Sequence, residues 1–173
     1  TQAIKLDSRK VWAYLNRGKA RMLKGDPQGA LPDFTEAIQI DPRNAWAWNN
    51  RGIAHHALRD FSAAVRDCTK AIAIDPKIAL AWFSRANARW YWGDLNGAVS
   101  DFDQALELDP RMVWAHNNRG RVRYVRGDLH RAIADYTRAI EIDPFLSLVY
   151  QNRGDARYDS GDWDGAIEDY TKA

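Results

Sequence analysis

The sequence predicts an all-α fold, a solenoid of antiparallel helix pairs. Three observations carry this. The dipeptide Asp-Pro recurs as Asp41-Pro42, Asp75-Pro76, Asp109-Pro110 and Asp143-Pro144, always 34 residues apart. Each period holds two runs of apolar residues at helical spacing, in most periods parted by a Gly-Asp step. A fixed period of this length marks small units that bury their apolar faces against one another. Finally, the composition is 46% hydrophobic and 28% charged, which suits a folded chain rather than a disordered one.

Each period is numbered 1 to 34 with the proline at position 32. Full repeats then occupy 11–44, 45–78, 79–112 and 113–146, with partial repeats at 1–10 and 147–173. The chain reads as one array over 1–173 that starts and ends inside helices, as a piece of a longer protein would. Asp7-Ser8 falls one period upstream of Asp41-Pro42, with serine at the proline position. Positions 1–14 form the first helix of each pair. Position 15 is Gly25, Gly93, Gly127 and Gly161, with Arg59 in the second repeat; glycine suits the left-handed turn that closes a helix. Position 16 is Asp26, Asp60, Asp94, Asp128 and Asp162. A carboxylate there can accept from the free N–H groups of the next helix, so it is read as the N-cap. The second helix runs to about position 30 and stops before the proline, which pushes the residue ahead of it out of the helical region. Pro32 lies about six residues into the second helix of the first repeat. There it removes a hydrogen bond and crowds the preceding turn, which predicts a kink or a late helix start.

Small residues recur where helices must approach closely: Gly18, Gly52, Ala86, Gly120 and Gly154 at position 8, and alanine at positions 20 and 27 of all five repeats. Trp48 and Trp82 at position 4, and Phe34, Phe102, Tyr136 and Tyr170 at position 24, fill the space between them. Cys68 takes position 24 of the second repeat and reads as a small buried hydrophobe rather than a nucleophile. This pattern of aromatic, glycine, alanine, aromatic, alanine and proline resembles the tetratricopeptide repeat. The resemblance covers essentially the whole chain. It implies a right-handed superhelical solenoid whose first helices line a concave groove through positions 2, 5, 6, 9, 12 and 13. The chain departs from the family at position 7 (Arg17, Arg51, Arg85, Arg119, Arg153) and position 11 (Arg21, His55, Arg89, Arg123, Arg157), where leucine and tyrosine are usual.

That arginine ladder invites a nucleic-acid reading, but position 23 is aspartate in every repeat: Asp33, Asp67, Asp101, Asp135 and Asp169. It shares a face with the core alanines, so Arg at 7 is expected to pair with Asp at 23 across the hairpin or to the next repeat. The net charge of only +2 points the same way, away from nucleic acid and from an anionic membrane.

In the groove frame supplied by the resemblance, position 6 is Asn16, Asn50, Ser84, Asn118 and Asn152. Asparagine offers a donor and an acceptor together, matching the N–H and C=O of an extended peptide; in similar arrays an asparagine ladder holds peptide backbone in this way. Around it lie Trp12, Trp46 and Trp114 at position 2, Asn49, Phe83 and Asn117 at position 5, Asn87 at position 9, and Trp90, Tyr124 and Tyr158 at position 12. Aromatics interleaved with amides suit a partner-binding surface. The carboxylate clamp of co-chaperone repeats is not expected. The frame beginning at the first repeat gives Leu15, Lys19, Asn50, Leu80 and Ser84, and the one beginning at the third gives Phe83, Asn87, Asn118, Leu148 and Asn152. Neither supplies the basic groups.

No phosphate loop, serine nucleophile or paired-cysteine metal signature is present. His55, His56, His116 and His130 do not converge as metal ligands. Neither cofactor nor metal is expected, and the chain is read as non-enzymatic. A single cysteine fits a cytoplasmic protein. The expected function is a scaffold that binds an extended peptide or partner segment in the groove. Two other readings stand beside it: self-association through uncapped repeat ends, and a substrate-presenting array of a larger enzyme such as a glycosyltransferase.

Overall fold

The computed structural model describes residues 2–173, with side chains from Arg9 onward. The expectation of a partial repeat at 1–10 therefore lies mostly outside the described side chains. Among the described residues there are ten α-helices and no strand: α1 (Gln2–Leu23), α2 (Pro27–Ile40), α3 (Ala45–Ala57), α4 (Phe61–Ile74), α5 (Ala79–Trp92), α6 (Leu95–Leu108), α7 (Val113–Val125), α8 (Leu129–Ile142), α9 (Ser147–Ser160) and α10 (Trp163–Lys172). They fall into two compact units, residues 1–92 and 93–173.

The turn between paired helices forms as the sequence demands. Gly25, Gly93, Gly127 and Gly161 all have positive φ, and Arg59 takes the same left-handed conformation at φ 64°. The aspartate that follows caps the next helix. Asp26 accepts from the Gly29 N–H at 2.8 Å, and Asp60 from Ala63 at 3.0 Å. Asp94, Asp128 and Asp162 do the same at 2.9, 3.4 and 3.1 Å. The aspartate of Asp-Pro closes the second helix differently. Asp41, Asp75, Asp109 and Asp143 each accept from the N–H two residues on, at 3.0–3.1 Å, an Asx-type turn that starts the next pair.

Of the two outcomes expected at Pro32, a late helix start is not what forms. Pro32 does not delay α2, which begins at Pro27, is capped by Asp26 and continues through Pro32. Pro32 and Gln28 are both exposed, so solvent reaches the single carbonyl that loses its donor.

In the unit 1–92, Phe34 of α2 is fully buried with Val11 and Leu15 of α1 and Ala47 and Ala54 of α3. Burying a side chain of that size stabilises the fold by roughly 1.5–3 kcal/mol. A second cluster joins Ala45 of α3, Ala71 and Ile72 of α4, and Ile78 and Ala81 at the start of α5. In the unit 93–173, Tyr136 plays the part of Phe34, packed with Ala132, Ala139, Val149 and Ala156. The close approach at position 8 requires glycine: a Cβ on Gly120 would lie 2.7 Å from the Tyr136 ring, and one on Gly52 would lie 2.7 Å from Cys68 Sγ.

The arginines are consumed by the fold. Arg17–Asp33, Arg51–Asp67, Arg119–Asp135 and Arg153–Asp169 pair at 2.5, 2.7, 2.6 and 2.7 Å. The position-11 arginines Arg21, Arg123 and Arg157 reach the same aspartates at 2.8, 2.8 and 3.0 Å. Each position-7 arginine from the second repeat on also reaches back to the preceding repeat. Arg51 donates to Thr35, Arg85 to Thr69, Arg119 to Asp103 and Arg153 to Thr137, at 3.2, 3.1, 2.6 and 3.0 Å. The guanidinium further lies over the position-4 ring, 4.8 Å from the Trp48 centroid for Arg51 and 4.9 Å from Trp82 for Arg85. The ladder is a staple within and between repeats.

Candidate peptide-binding face

The first helices carry the expected site residues, described unit by unit. In the unit 1–92 this face belongs to α1, α3 and α5. Trp12 and Trp46 stand exposed at 59% and 45%, and Asn16 is exposed. Phe83, Asn87 and Trp90 of α5 are half-buried. Asn49 and Asn50 of α3 are buried, at 0% and 8% exposure. Neither the Nδ2 nor the Oδ1 of Asn49 has a hydrogen-bond partner within the protein, and nor has Asn50 Nδ2.

In the unit 93–173 the same positions are satisfied internally. Asn152 Nδ2 donates to Asn117 Oδ1 at 2.8 Å, and Asn117 Nδ2 donates to Asn118 Oδ1 at 3.0 Å. The three amides form one chain across α7 and α9. Tyr124 donates to Asp159 Oδ2 at 2.5 Å. That bond, with burial and the carboxylate charges behind it, pushes the Tyr124 phenol up to about 12. Trp114 and Tyr158 remain exposed.

A pocket of about 150 Å³ opens between α3 and α5, lined by Ile53, His56, Leu80, Phe83, Ser84 and Asn87. Phe83 and Asn87 were expected at the site; Ile53, His56, Leu80 and Ser84 were not. All six occupy the groove positions 2, 5, 6, 9 and 12, so the repeat frame contained the signal, which for His56 is its place at position 12. The His56 ring meets Tyr91 edge-on at 5.2 Å and Phe61 at 5.5 Å. Its Nε2 is buried without a partner in the protein, and burial lowers its pKa, so the ring is neutral at pH 7.

Tetratricopeptide repeat models match residues 11–44 and 45–78, and a further one matches residues 83–147. The chain belongs to the tetratricopeptide repeat family. Repeats of this family are protein-interaction modules, and a protein-interaction scaffold is accordingly the general role of the chain. No curated protein matches the sequence significantly. Among solved structures, MamA from Desulfovibrio magneticus RS-1 matches with a TM-score of 0.84 at 21% identity, over 94% of this chain and 92% of its own. PilF of Pseudomonas aeruginosa matches with a TM-score of 0.88 at 18% identity, over 96% and 76%. These two show a shared fold. The first tetratricopeptide domain of Spaghetti, solved with the HSP90 peptide SRMEEVD, matches with a TM-score of 0.68 at 27% identity, over 69% of this chain and 98% of its own. Among the described residues no helix is long and apolar enough to cross a membrane.

Proposed function

We propose that this tetratricopeptide array is a non-catalytic, cytoplasmic scaffold that binds an extended segment of a partner protein on its first-helix face, centred on α3 and α5. One observation carries the reading. Trp12 and Trp46 stand exposed at 59% and 45% on α1 and α3, with Asn16 exposed and Phe83, Asn87 and Trp90 half-buried on the first helices of the same unit. Exposed rings interleaved with amides offer apolar contact and donor–acceptor pairs to an extended peptide.

The peptide recognised is not one held by a clamped terminal carboxylate, because Leu15, Leu80 and Ser84 stand where basic or amide groups would be needed. The peptide solved with Spaghetti therefore supports peptide binding in general and does not give the ligand of this chain. The test is a double substitution on α3, Trp46→Ala with Asn50→Ala, assayed against peptides selected from a library on the wild-type chain. We expect at least tenfold weaker binding with the helical circular dichroism unchanged; equal affinity would sink the reading. Trp163, Ile167 and Tyr170 form an exposed apolar face on α10, at 66%, 64% and 43% exposure, which favours self-association as a second reading. Sedimentation at several concentrations separates the two, since a strict monomer excludes self-assembly.

A further inference from the structure

Position 2 of the repeat places one side chain on each first helix of the unit 1–92: Trp12 on α1, Trp46 on α3 and Leu80 on α5. Both indoles are exposed, and neither makes a hydrogen bond or a ring contact with another described residue. The tryptophans at position 4 differ. Trp48 and Trp82 donate their indole N–H groups to the Pro42 and Pro76 carbonyls at 2.9 Å, and the Arg51 and Arg85 guanidiniums lie over their rings. Position 4 is spent on the fold, whereas position 2 keeps its ring faces and its N–H donors for something else. Asn16, one turn after Trp12, adds an exposed amide with no partner among the described residues. The groove positions of this unit hold no aspartate or glutamate.

We propose that this row binds a polyproline II segment of the partner, with prolines three residues apart, one on Trp12 and the next on Trp46. The proposal rests on the peptide-binding reading above. Packed helices lie about 8–10 Å apart, and α1 and α3 bring Cα atoms within 8 Å of each other. A polyproline II helix turns once in three residues and rises about 9.3 Å in doing so, so every third residue meets the next first helix. A β-strand sets its same-side residues about 6.7 Å apart, out of step with the row. An α-helix spends its carbonyls internally. The polyproline backbone leaves its carbonyls free and its prolines carry no N–H, so it calls for donors rather than acceptors. An indole N–H is a donor only. The pyrrolidine ring packs on the electron-rich face of the indole, and the stiff segment gives up little entropy on binding. Leu80 continues the row on α5 as an apolar step without a donor.

The probes are a capped (Pro-Ala-Ala)4 peptide and a capped peptide of the same composition in which no two prolines stand three apart. Each is titrated into the chain and followed by the NMR signals of the indole N–H groups. The expected result is saturable shifts at Trp12 and Trp46, with Trp48 and Trp82, bonded to backbone, unmoved as internal controls. The periodic peptide should bind about fivefold tighter than the aperiodic one, the scale of one ring contact. Trp46→Ala should erase that preference with the helical circular dichroism unchanged, and Trp12→Ala, on a different helix, should do the same. Trp46→Phe keeps a ring and removes the donor, so it should weaken binding of the periodic peptide and leave the preference in place. No saturable shift, equal affinities for the two peptides, or a preference that survives both alanine variants would each overturn the proposal.

A displayed peptide library run in parallel keeps the two readings apart. Enrichment of prolines three apart on the wild type, lost on Trp46→Ala, supports polyproline recognition. Peptides retained by the wild type and lost on Trp46→Ala, with no proline spacing in common, overturn it and leave the peptide-binding face standing. No peptide retained from the library, together with no binding of (Pro-Ala-Ala)4, removes both readings.

Discussion

Asn49 and Asn117 occupy the same repeat position and differ in one neighbour. Asn117 accepts from Asn152, 35 residues on, at 2.8 Å; the residue 35 on from Asn49 is Ser84, and the Asn49 amide has no partner in the protein. Ser84→Asn should complete the missing bond and raise stability by about 1 kcal/mol, read from the urea midpoint at constant m-value. Asp135 presents the opposite case. Burial pushes its carboxyl up, but the His116 ring together with the Arg119 and Arg123 guanidiniums outweighs that and holds its pKa below the usual carboxylate value. Asp135→Leu strands Arg119 and Arg123 and should cost about 3–5 kcal/mol. Because the folded pKa is depressed, the Asp135 contribution is present above the unfolded carboxyl's pKa of about 3.9 and is lost as the pH falls through the lower folded value. His56 follows the same sign at a higher pH. Its folded pKa is lowered by burial, so the unfolded imidazole, near 6.5, takes its proton first. Stability should decline as the pH falls below about 6.5, and His56→Phe should flatten that part of the profile.

At the scale of the element, Arg59 is the exception in an otherwise regular turn. It holds φ 64° where the four other repeats have glycine. A residue with a Cβ is strained there by roughly 1–2 kcal/mol, so Arg59→Gly should stabilise the chain by about 1 kcal/mol, with thermal unfolding as the measure. The reverse holds at Gly120, where an added methyl meets the Tyr136 ring; Gly120→Ala should destabilise by about 1–3 kcal/mol. These elements were legible in the sequence because each rests on local chemistry that recurs: four glycines for positive φ, five aspartates for the cap, four prolines after the last turn. The late helix start expected at Pro32 does not form, for a related reason. Local rules weigh the lost bond, whereas the helix is held by the Asp26 cap at one end and the buried Ala30, Phe34 and Ala37 on its inner face.

At the scale of the molecule, the 34-residue period made the fold and the family readable from residues alone. The Arg–Asp staple was also readable, because both partners recur in register. The candidate face was only partly so. The groove positions were available, but which amides are spent on one another depends on the neighbour one repeat away, and that distinguishes Asn152 from Ser84. The period hides this difference, because it shows only at the positions where the repeats are not alike. The central claim is that α3 and α5 present a prepared surface to a peptide. The most direct test is an NMR shift map of the chain with a library-selected peptide. The expected map concentrates on Asn49, Asn50, Ile53, His56, Leu80 and Ser84; shifts confined to the second helices α2 and α4, with those six residues unmoved, would contradict it.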